Sequence, residues 1–520
     1  MSKNIPDTWY LPEELEIEPF VADLAEAFGV AVEQAGQHRR IFYDSFDWRL
    51  YRKKWLLECT EEGWRLCEYG SGRTRAALAD ISCQGPRFAW DFPDSSLQRL
   101  LHTALDVRCL LPLVTLDERR TRVRILNRDE KTVAFLYLEE LHVQEGERVL
   151  RTVRLQGVRG YVKKYRAVRR FLEQYGINES ASPHFEFEEG LKAVGRTPGD
   201  YSSKFTIRLD PAMTAGQAAR TIFLQLLGVM ERNLPGIFDD LDSEFLHDFR
   251  VAIRRTRTGL AQFKKVLPAE TTALFKNEFA WLGRVTGPTR DLDVYLLYRD
   301  DYLARLPEVL QPGLDEFFQD LARRRQEEFK RLVRALQAPR YREIVSSWRE
   351  YLQSDREEEP AAAGMPVTDF ARQIIYRRYR RVMKDGRAIT DRSPDESLHR
   401  LRIQCKKLRY ALEFFTSLFP EEDMTRVIKQ LKKLQNNLGD FNDLSVQQDM
   451  LRRHLAELRT GSRKNLQLAA ALGGLLTNLY HEQERVRKRF ATTFQRFGDS
   501  DNTALFKRLF ADSRARGRQK

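Results

Sequence analysis

The spacing of hydrophobic positions changes near residue 212 and divides the chain into two regions. In the first region, apolar and polar side chains alternate in short runs such as 119–126 and 132–138, which predicts antiparallel strands and hairpins. From residue 214 onward, apolar residues recur every three or four positions, which predicts helices. The stretch 195–211 contains glycine, proline and serine and has the composition of a loop. We therefore expect a multidomain α+β protein, with a β-domain at 1–205 and an all-α domain at 212–515.

The helical region contains one segment twice. Residues 246–263 read LHDFRVAIRRTRTGLAQF and residues 398–415 read LHRLRIQCKKLRYALEFF, at an offset of 152 positions. A second pair, LGRVTGPTRDLDV at 282–294 and LKKLQNNLGDFND at 431–443, lies at an offset of 149. Two separate blocks at nearly one spacing predict a duplicated helical unit. We expect the first half at 212–354, a linker at 355–366 and the second half at 367–515.

Each copy of the first block places basic residues at intervals of three, four and three, which is one face of a helix. These two basic stripes consist of His247, Arg250, Arg254 and Arg257, and of His399, Arg402, Lys406 and Arg409. Like charges at this spacing repel by a few tenths of a kcal/mol per pair, and a solvated face usually mixes signs. A bound anion offsets that repulsion, and Arg and Lys are suited to phosphate oxygens.

Other residues are weaker candidates for the same site. Arg284 and Lys433 belong to the second repeated block, and Arg377 and Arg381 lie on a helix expected at 366–386. Asp291 and Asp440 occupy equivalent positions of the second block. They could bind a metal, but each stands near a predicted helix start, which favours N-capping.

The positive charge is concentrated in the helical region. The chain has a formal net charge of +13, and residues 211–520 hold 56 Lys and Arg against 42 Asp and Glu, whereas residues 1–210 hold 32 against 33. A basic domain beside a neutral one indicates a polyanionic partner for the basic one, whereas a generally basic protein would spread its charge more evenly.

Segments that would direct the chain to a membrane or to secretion are not visible. The sequence has no run of about 18 apolar residues and no secretory signal at its start. Its five cysteines include no CxxC pair. We therefore expect reduced thiols in a cytoplasm, no zinc site and no membrane partner.

The four repeated blocks, in this order, resemble the CHAD family, the conserved histidine α-helical domain. The resemblance covers about residues 212–515. It implies two four-helix bundles related by a pseudo-twofold axis, with a basic surface or pore along the axis. It also implies binding of inorganic polyphosphate, often at cytoplasmic polyphosphate granules. By this resemblance, the ligand-binding positions are the eight residues of the two basic stripes, followed by Arg284 and Lys433.

The N-terminal region resembles the CYTH family of triphosphate-tunnel β-barrels in FYDSFDWRLYRKKWLLE, ERRTRVRI and FLYLEELHV. Enzymes of that family carry an ExExK motif on the first strand, whose carboxylates hold a divalent metal. Here the segment reads Glu14-Leu15-Glu16-Ile17-Glu18, so Glu replaces Lys. We expect a degenerate barrel without catalytic residues. Mg²⁺ or Mn²⁺ on Glu14, Glu16 and Glu139 is expected only if the barrel is active.

Three functions compete. The leading hypothesis is a non-catalytic polyphosphate-binding protein with no cofactor, and the alternative is a metal-dependent inorganic triphosphatase in the N-terminal barrel. A nucleic-acid binder ranks below both, because single-strand binders interleave basic residues with stacking aromatics and the stripes carry only Tyr410 of that kind. The sequence leaves the oligomeric state open.

Overall fold

A computed structural model describes residues 7–33, 36–84, 87–144, 146, 149–182, 184–354, 360–458 and 461–511. The chain divides into two compact units, Met1–Ser203 and Lys204–Lys520. The first unit is built on a β-sheet and the second is helical, as expected. Within the described ranges, no helix is both long and apolar enough to cross a membrane.

In the described residues of the first unit, nine strands form one antiparallel sheet. They are β1 Asp7–Tyr10, β2 Gly29–Val32, β3 Gly36–Asp44, β4 Trp55–Thr60, β5 Gly63–Glu68, β6 Thr74–Leu78, β7 Leu111–Leu126, β8 Thr132–Val143 and β9 Val149–Gly157. The pairing order is β1-β9-β8-β7-β3-β4-β5-β6, and β2 pairs with β7. The expected antiparallel architecture is confirmed. Closure into a barrel requires pairing around the whole ring, and in the described strands no ladder joins β1 to β6, so the sheet is open.

Five helices accompany this sheet: α1 Ile17–Ala27, α2 Arg49–Arg52, α3 Ser96–Leu105, α4 Val162–Gln174 and α5 Phe185–Ala193. Helices α1 and α4 bury Phe20, Leu24, Val168 and Leu172 in one apolar cluster with β7, β8 and β9. The segment 14–18 was expected on a strand, but Glu14 lies in a turn, and Glu16 is the N-cap of α1. Its apolar residues, Leu15 and Ile17, instead pack against the cluster under α1.

Two of the five cysteines are joined. Cys59 on β4 and Cys83 after β6 form a disulfide with their Cα atoms 5.7 Å apart, whereas Cys67, Cys109 and Cys405 are free and buried. The expectation of reduced thiols is therefore wrong for Cys59 and Cys83. Their separation of 24 residues gave no sign that the β4–β6 meander brings them together.

The second unit contains thirteen α-helices in its described residues. They are α6 Ala215–Phe238, α7 Ser243–Gln262, α8 Ala269–Val285, α9 Gly287–Leu297, α10 Arg299–Ala304, α11 Asp315–Gln337, α12 Pro339–Gln353, α13 Val367–Arg387, α14 Asp395–Phe414, α15 Glu421–Glu457, α16 Arg463–Lys488, α17 Phe490–Phe497 and α18 Ser500–Phe510. Residues 355–359 of the expected linker lie outside the described residues, and Ala361–Gly364 forms one short 3-10 helix.

The two halves of this unit are related by a pseudo-twofold axis. Helices α6 and α13 begin 152 positions apart, and α7 and α14 both begin and end 152 positions apart. The Ala215 N–H donates to Met365 O at 2.8 Å, and the Val367 N–H donates to Met213 O at 3.0 Å. Adding 152 to the residue numbers of Ala215 and Met213 gives those of Val367 and Met365, so the two bonds are equivalent. Such reciprocal contacts are the property of a twofold interface. The duplication expected from the sequence is confirmed.

The second repeated block folds differently in the two halves. In the first half it is split into α8 and α9 at Thr286, with Pro288 in the first turn of α9. In the second half it continues through α15, a single helix of 37 residues. Proline lacks an N–H and breaks the helical ladder, and the second copy has none. Asp440 consequently lies inside α15, and Asp291 inside α9, so the N-capping interpretation is wrong for both.

Candidate anion-binding site

The core behind the stripes is made by the opposite faces of α7 and α14. Phe249, Ile253 and Leu260 on α7 are buried, as are Leu401 and Leu412 on α14. The two helices also meet at the pseudo-twofold axis, where the rings of the equivalent residues Phe263 and Phe415 lie 5.9 Å apart. This packing fixes both stripes on the faces that remain.

Arg250 in the first stripe is held by neutral acceptors. Its Nη1 donates to Thr286 Oγ1 at 3.0 Å and to Gly283 O at 3.3 Å. Burial lowers the pKa of this half-buried guanidinium, while nearby Asp291 opposes that change. Within the described residues, no carboxylate forms an ion pair with Arg250, so its charge is positioned without being neutralised.

Two glycines lie beside the guanidinium groups of the first stripe, and only Gly283 is in tight contact. A Cβ at Gly283 would lie 3.1 Å from Arg257 Nη1, and a Cβ at Gly287 would lie 3.5 Å from Arg250 Nη1. At the 149-residue offset, Lys432 and Asn436 stand in these positions in the second copy. The residues that surround the two basic stripes are therefore different.

The second stripe is anchored by polar residues of α15. His399 Nδ1 and Asn442 Oδ1 are 2.7 Å apart, and Arg402 Nη2 lies 3.3 Å from Asp443 Oδ1. Arg409 Nε donates to Glu413 Oε1 at 2.6 Å. Lys406 forms no ion pair within the described part of the chain, and burial together with Arg402 and Arg254 lowers its pKa to about 8.

The two stripes converge across the axis. The positive charge of Arg254 on α7 lowers the pKa of both Arg402 and Lys406 on α14. Arg254 and Lys406 are equivalent residues at the 152-residue offset. This repulsion indicates that Arg254, Arg402 and Lys406 lie within electrostatic reach of one another.

A buried ion pair lies next to the stripes. Arg255 Nη2 on α7 is 2.8 Å from Glu413 Oε2 on α14, with 10% and 12% of the two side chains exposed. The Arg255 guanidinium also lies over the ring of Tyr410, which is itself buried. Tyr410, the aromatic residue noted for nucleic-acid stacking, therefore has no face free for a base.

The remaining sequence candidates are dispersed. His247 is half-buried on α7, and Arg284 and Lys433 are exposed on α8 and α15. On α13, Arg381 Nε donates to Asp385 at 2.8 Å, and Arg377 acts electrostatically on Arg378 rather than on a stripe residue. The residues that sequence reasoning missed are Gly283, Thr286, Asn442 and Asp443. All four belong to the second repeated block, which was the available signal.

The charged interior of the N-terminal sheet is balanced. Arg40 on β3 lies 2.7 Å from Glu186, 3.5 Å from Glu118 and 3.8 Å from Glu58. Arg154 lies 3.1 Å from Glu139 and 3.2 Å from Glu186.

Arg120 bridges two of the same carboxylates, lying 2.6 Å from Glu118 and 3.2 Å from Glu139, and Arg65 pairs with Glu58. Since each carboxylate of this cluster contacts an arginine, the cluster has no excess positive charge to offer a triphosphate. The expected metal ligands are separated, because Glu139 is buried in β8 whereas Glu14 and Glu16 are exposed outside the sheet. Among described residues, no group of three or more His, Cys, Asp or Glu could hold a metal ion.

Comparison with known families and proteins gives the following. Residues 221–452 match the family model of the CHAD domain. An uncharacterized protein of Mycobacterium tuberculosis, MT2285 of strain CDC 1551, is 29% identical over 171 residues, which are 32% of this chain and 33% of the relative. The protein Rv2226 of strain H37Rv matches to the same extent. The matched segment thus spans about a third of these curated relatives.

Solved structures with similarity to this chain include the following three. The CHAD domain from the plant Ricinus communis is 25% identical, with a TM-score of 0.42, and covers 59% of this chain and 95% of its own. PptA from Streptomyces chartreusis is 18% identical, with a TM-score of 0.43, covering 54% and 99%. A putative adenylyl cyclase from Hippeastrum with a dominant triphosphatase activity is 12% identical, with a TM-score of 0.27, covering 38% and 98%.

Proposed function

We propose that the protein, whose residues 221–452 match the family model of the CHAD domain, binds inorganic polyphosphate between its two basic stripes. The ligand lies along the pseudo-twofold axis and contacts both halves of the helical unit. The proposal places the protein with polyphosphate granules in the cytoplasm, as a binding protein without a catalytic step of its own.

The observation that carries the proposal is the convergence of uncompensated cations from the two halves. Arg254 acts on both Arg402 and Lys406, and in the described residues neither Arg254 nor Lys406 forms an ion pair with a carboxylate. Elsewhere in the same unit, arginines such as Arg325 are matched by carboxylates, here Asp240 and Asp293. Asp443 and Glu413 pair with Arg402 and Arg409, but a cluster in which Arg254 and Lys406 keep their repulsion is suited to an external anion.

The geometry favours a chain of phosphates over a single phosphate. Arginine presents a fork for phosphate oxygens and lysine a compact charge. Because the stripes come from two helices, a ligand with many phosphate groups contacts both at once, and the second contact is made at high effective concentration. Binding driven by such contacts weakens linearly in log affinity against log salt as counterions are released.

Reversing charge in both stripes tests the proposal. We expect Arg250→Glu with Arg402→Glu to remove binding between the stripes, measured as a strong loss of affinity for long-chain polyphosphate in binding curves at several chain lengths. Because Arg250 is half-buried, Arg254→Glu with Arg257→Glu provides a second variant at two exposed positions. Thermal unfolding monitored by circular dichroism verifies that each variant remains folded.

The matched control reverses two charges outside the stripes. Arg323 and Arg331 on α11 have 70% and 69% of their side chains exposed, so Arg323→Glu with Arg331→Glu changes the net charge equally. We expect the control to bind within twofold of the unchanged protein. Unchanged binding by a folded stripe variant, or an equal loss in the control, would refute the stripe as the binding site.

A further inference from the structure

A second group of basic residues lies on the second half, away from the stripes. This lateral cluster consists of Arg377 and Arg378 on α13 and Lys407 on α14. Arg378 acts on Lys407, and Arg377 acts on Arg378, in both cases lowering the pKa of the neighbour. Arg378 and Lys407 are half-buried, and in the described residues none of the three forms an ion pair. The Arg378 Nε is buried there without a hydrogen-bond partner.

The equivalent positions in the first half are satisfied by the chain itself. At the 152-residue offset, they are Gln225, Leu226 and Arg255. Gln225 Nε2 donates to Thr206 O at 2.7 Å, and Leu226 is fully buried. Arg255 pairs with Glu413 and lies 5.0 Å from the centre of the Phe205 ring.

The first half therefore shows what this position of the repeat accommodates. A backbone carbonyl, a carboxylate and an aromatic ring cover it, and its polar groups all find acceptors. In the second half, two neutral residues have been replaced by arginines, and within the described part of the chain the acceptors are missing. Half-buried cations without acceptors are costly to retain, which points to an acceptor supplied from outside.

The lateral cluster faces away from the stripe on the same helix. Lys407 follows Lys406 directly, and successive residues of an α-helix are rotated by about 100°. The charges that act most on Lys406 are Arg402 and Arg254, whereas Lys407 responds to Arg378. The two groups therefore lie on different faces of α14.

We propose that Arg377, Arg378 and Lys407 form a second phosphate-binding site, which takes a short phosphoanion or a segment of a polyphosphate chain. The class of ligand rests on the function proposed above, but the site is independent of the stripes. With two sites on different faces, one protein molecule holds two polyphosphate segments and cross-links them.

Calorimetric titration of the full chain with inorganic tripolyphosphate tests the site. We expect two equivalents to bind the unchanged protein and one to bind Arg377→Gln with Arg378→Leu. This variant carries the residues that the first half already accommodates at Gln225 and Leu226, so it is chosen to preserve packing. Lys407→Gln is a second variant that we expect to lose the same equivalent. Arg372→Gln with Arg380→Gln is the control, because it removes two charges elsewhere on α13.

The outcomes separate this site from the stripes. Arg250→Glu with Arg402→Glu should also retain one equivalent, and combining it with Arg377→Gln and Arg378→Leu should leave none. If the folded Arg377→Gln, Arg378→Leu variant still binds two equivalents, the second site is refuted. It is also refuted if this variant and the unchanged protein both bind a single equivalent. Neither result bears on the stripes as a binding site. That assignment is refuted if the Arg250→Glu, Arg402→Glu variant binds as many equivalents as the unchanged protein.

Discussion

Arg254 and Lys406 occupy the same position of the two repeats, and the charge of Arg254 lowers the pKa of Lys406 across the pseudo-twofold axis. A duplicated helix would present two independent stripes if its copies lay apart. Here the axis brings each copy within electrostatic reach of the other, so that duplication produces one composite cationic surface. The lysine replaces the arginine of the first copy and makes this surface sensitive to pH.

The affinity for polyphosphate is expected to fall as pH rises above about 8, where free Lys406 loses its proton. Burial and the neighbouring arginines depress the Lys406 pKa, whereas a bound polyanion favours the charged form and raises it. Binding is therefore fully supported below pH 8, and above it requires uptake of a proton. Binding curves between pH 6.5 and pH 9.5 at constant salt measure the effect.

Lys406→Arg is the matched variant, because arginine stays charged throughout this range. We expect the affinity of this variant for polyphosphate to stay constant above pH 8, where the affinity of the unchanged protein declines. In the absence of ligand, the depressed pKa means that unfolding takes up a proton at Lys406 above pH 8, so this residue makes the free protein more stable as pH rises from 8 towards 10. An equal decline in both proteins would contradict the role of Lys406.

The hydroxyl of Thr286 is expected to matter for binding because it positions Arg250. Thr286→Val removes the bond to Arg250 and the one that the hydroxyl donates to Leu282 O, at a fully buried position and with little change of shape. A bond to a charged group contributes about 1.5 to 3 kcal/mol, so the affinity for polyphosphate should fall about tenfold or more. Thr272→Val on α8 is the control, because the buried Thr272 Oγ1 has no partner among described residues. Equal affinities in the two variants would show that Arg250 needs no such support.

The sequence predicted the repeat and its consequences well, because those depend on periodicity. His247, Arg250 and Arg254 repeat at helical intervals, and apolar residues such as Phe249 follow the opposite face, so the helix and its buried side are determined locally. The placement of the partners was not predictable in the same way. Thr286, which accepts a hydrogen bond from Arg250, stands where the first copy of the second block divides into two helices, whereas the second copy is continuous.

The remaining differences between prediction and structure have both local and tertiary causes. Asp440 was expected at a helix start, but nothing interrupts α15 there. Glu14 and Glu16 alternate as a strand would, yet the apolar residues between and after them pack under α1. Arg381 belongs to a basic run of sequence, but its partner is Asp385, one turn away on the same helix. Of these three differences, only the position of Glu14 and Glu16 depends on packing between segments. Those of Asp440 and Arg381 follow from the sequence of a single helix.

Arg40 is expected to be essential for the stability of the N-terminal unit. It contacts three buried carboxylates, and removing one partner of a buried ion pair typically costs about 3 to 5 kcal/mol. Arg40→Met should therefore lower the free energy of unfolding by an amount of that order, seen as loss of hydrogen-exchange protection in β3 and β7. Arg39→Met is the control, because Arg39 pairs with Asp117 at the surface, with 54% and 46% of the side chains exposed. Similar protection in both variants would show that the cluster adds little to stability.

The disulfide between Cys59 and Cys83 predicts the number of free thiols in the protein. Titration of thiols in denaturant should find three without reductant and five after reduction, because Cys67, Cys109 and Cys405 are free. Closing a loop of 24 residues restricts the unfolded chain and is worth about 3 kcal/mol in the chain-entropy description. Cys83→Ser should lower the free energy of unfolding of the N-terminal unit by that order. Reductant should then have no further effect on the stability of Cys83→Ser, whereas five thiols in the untreated protein would show that the bond does not form.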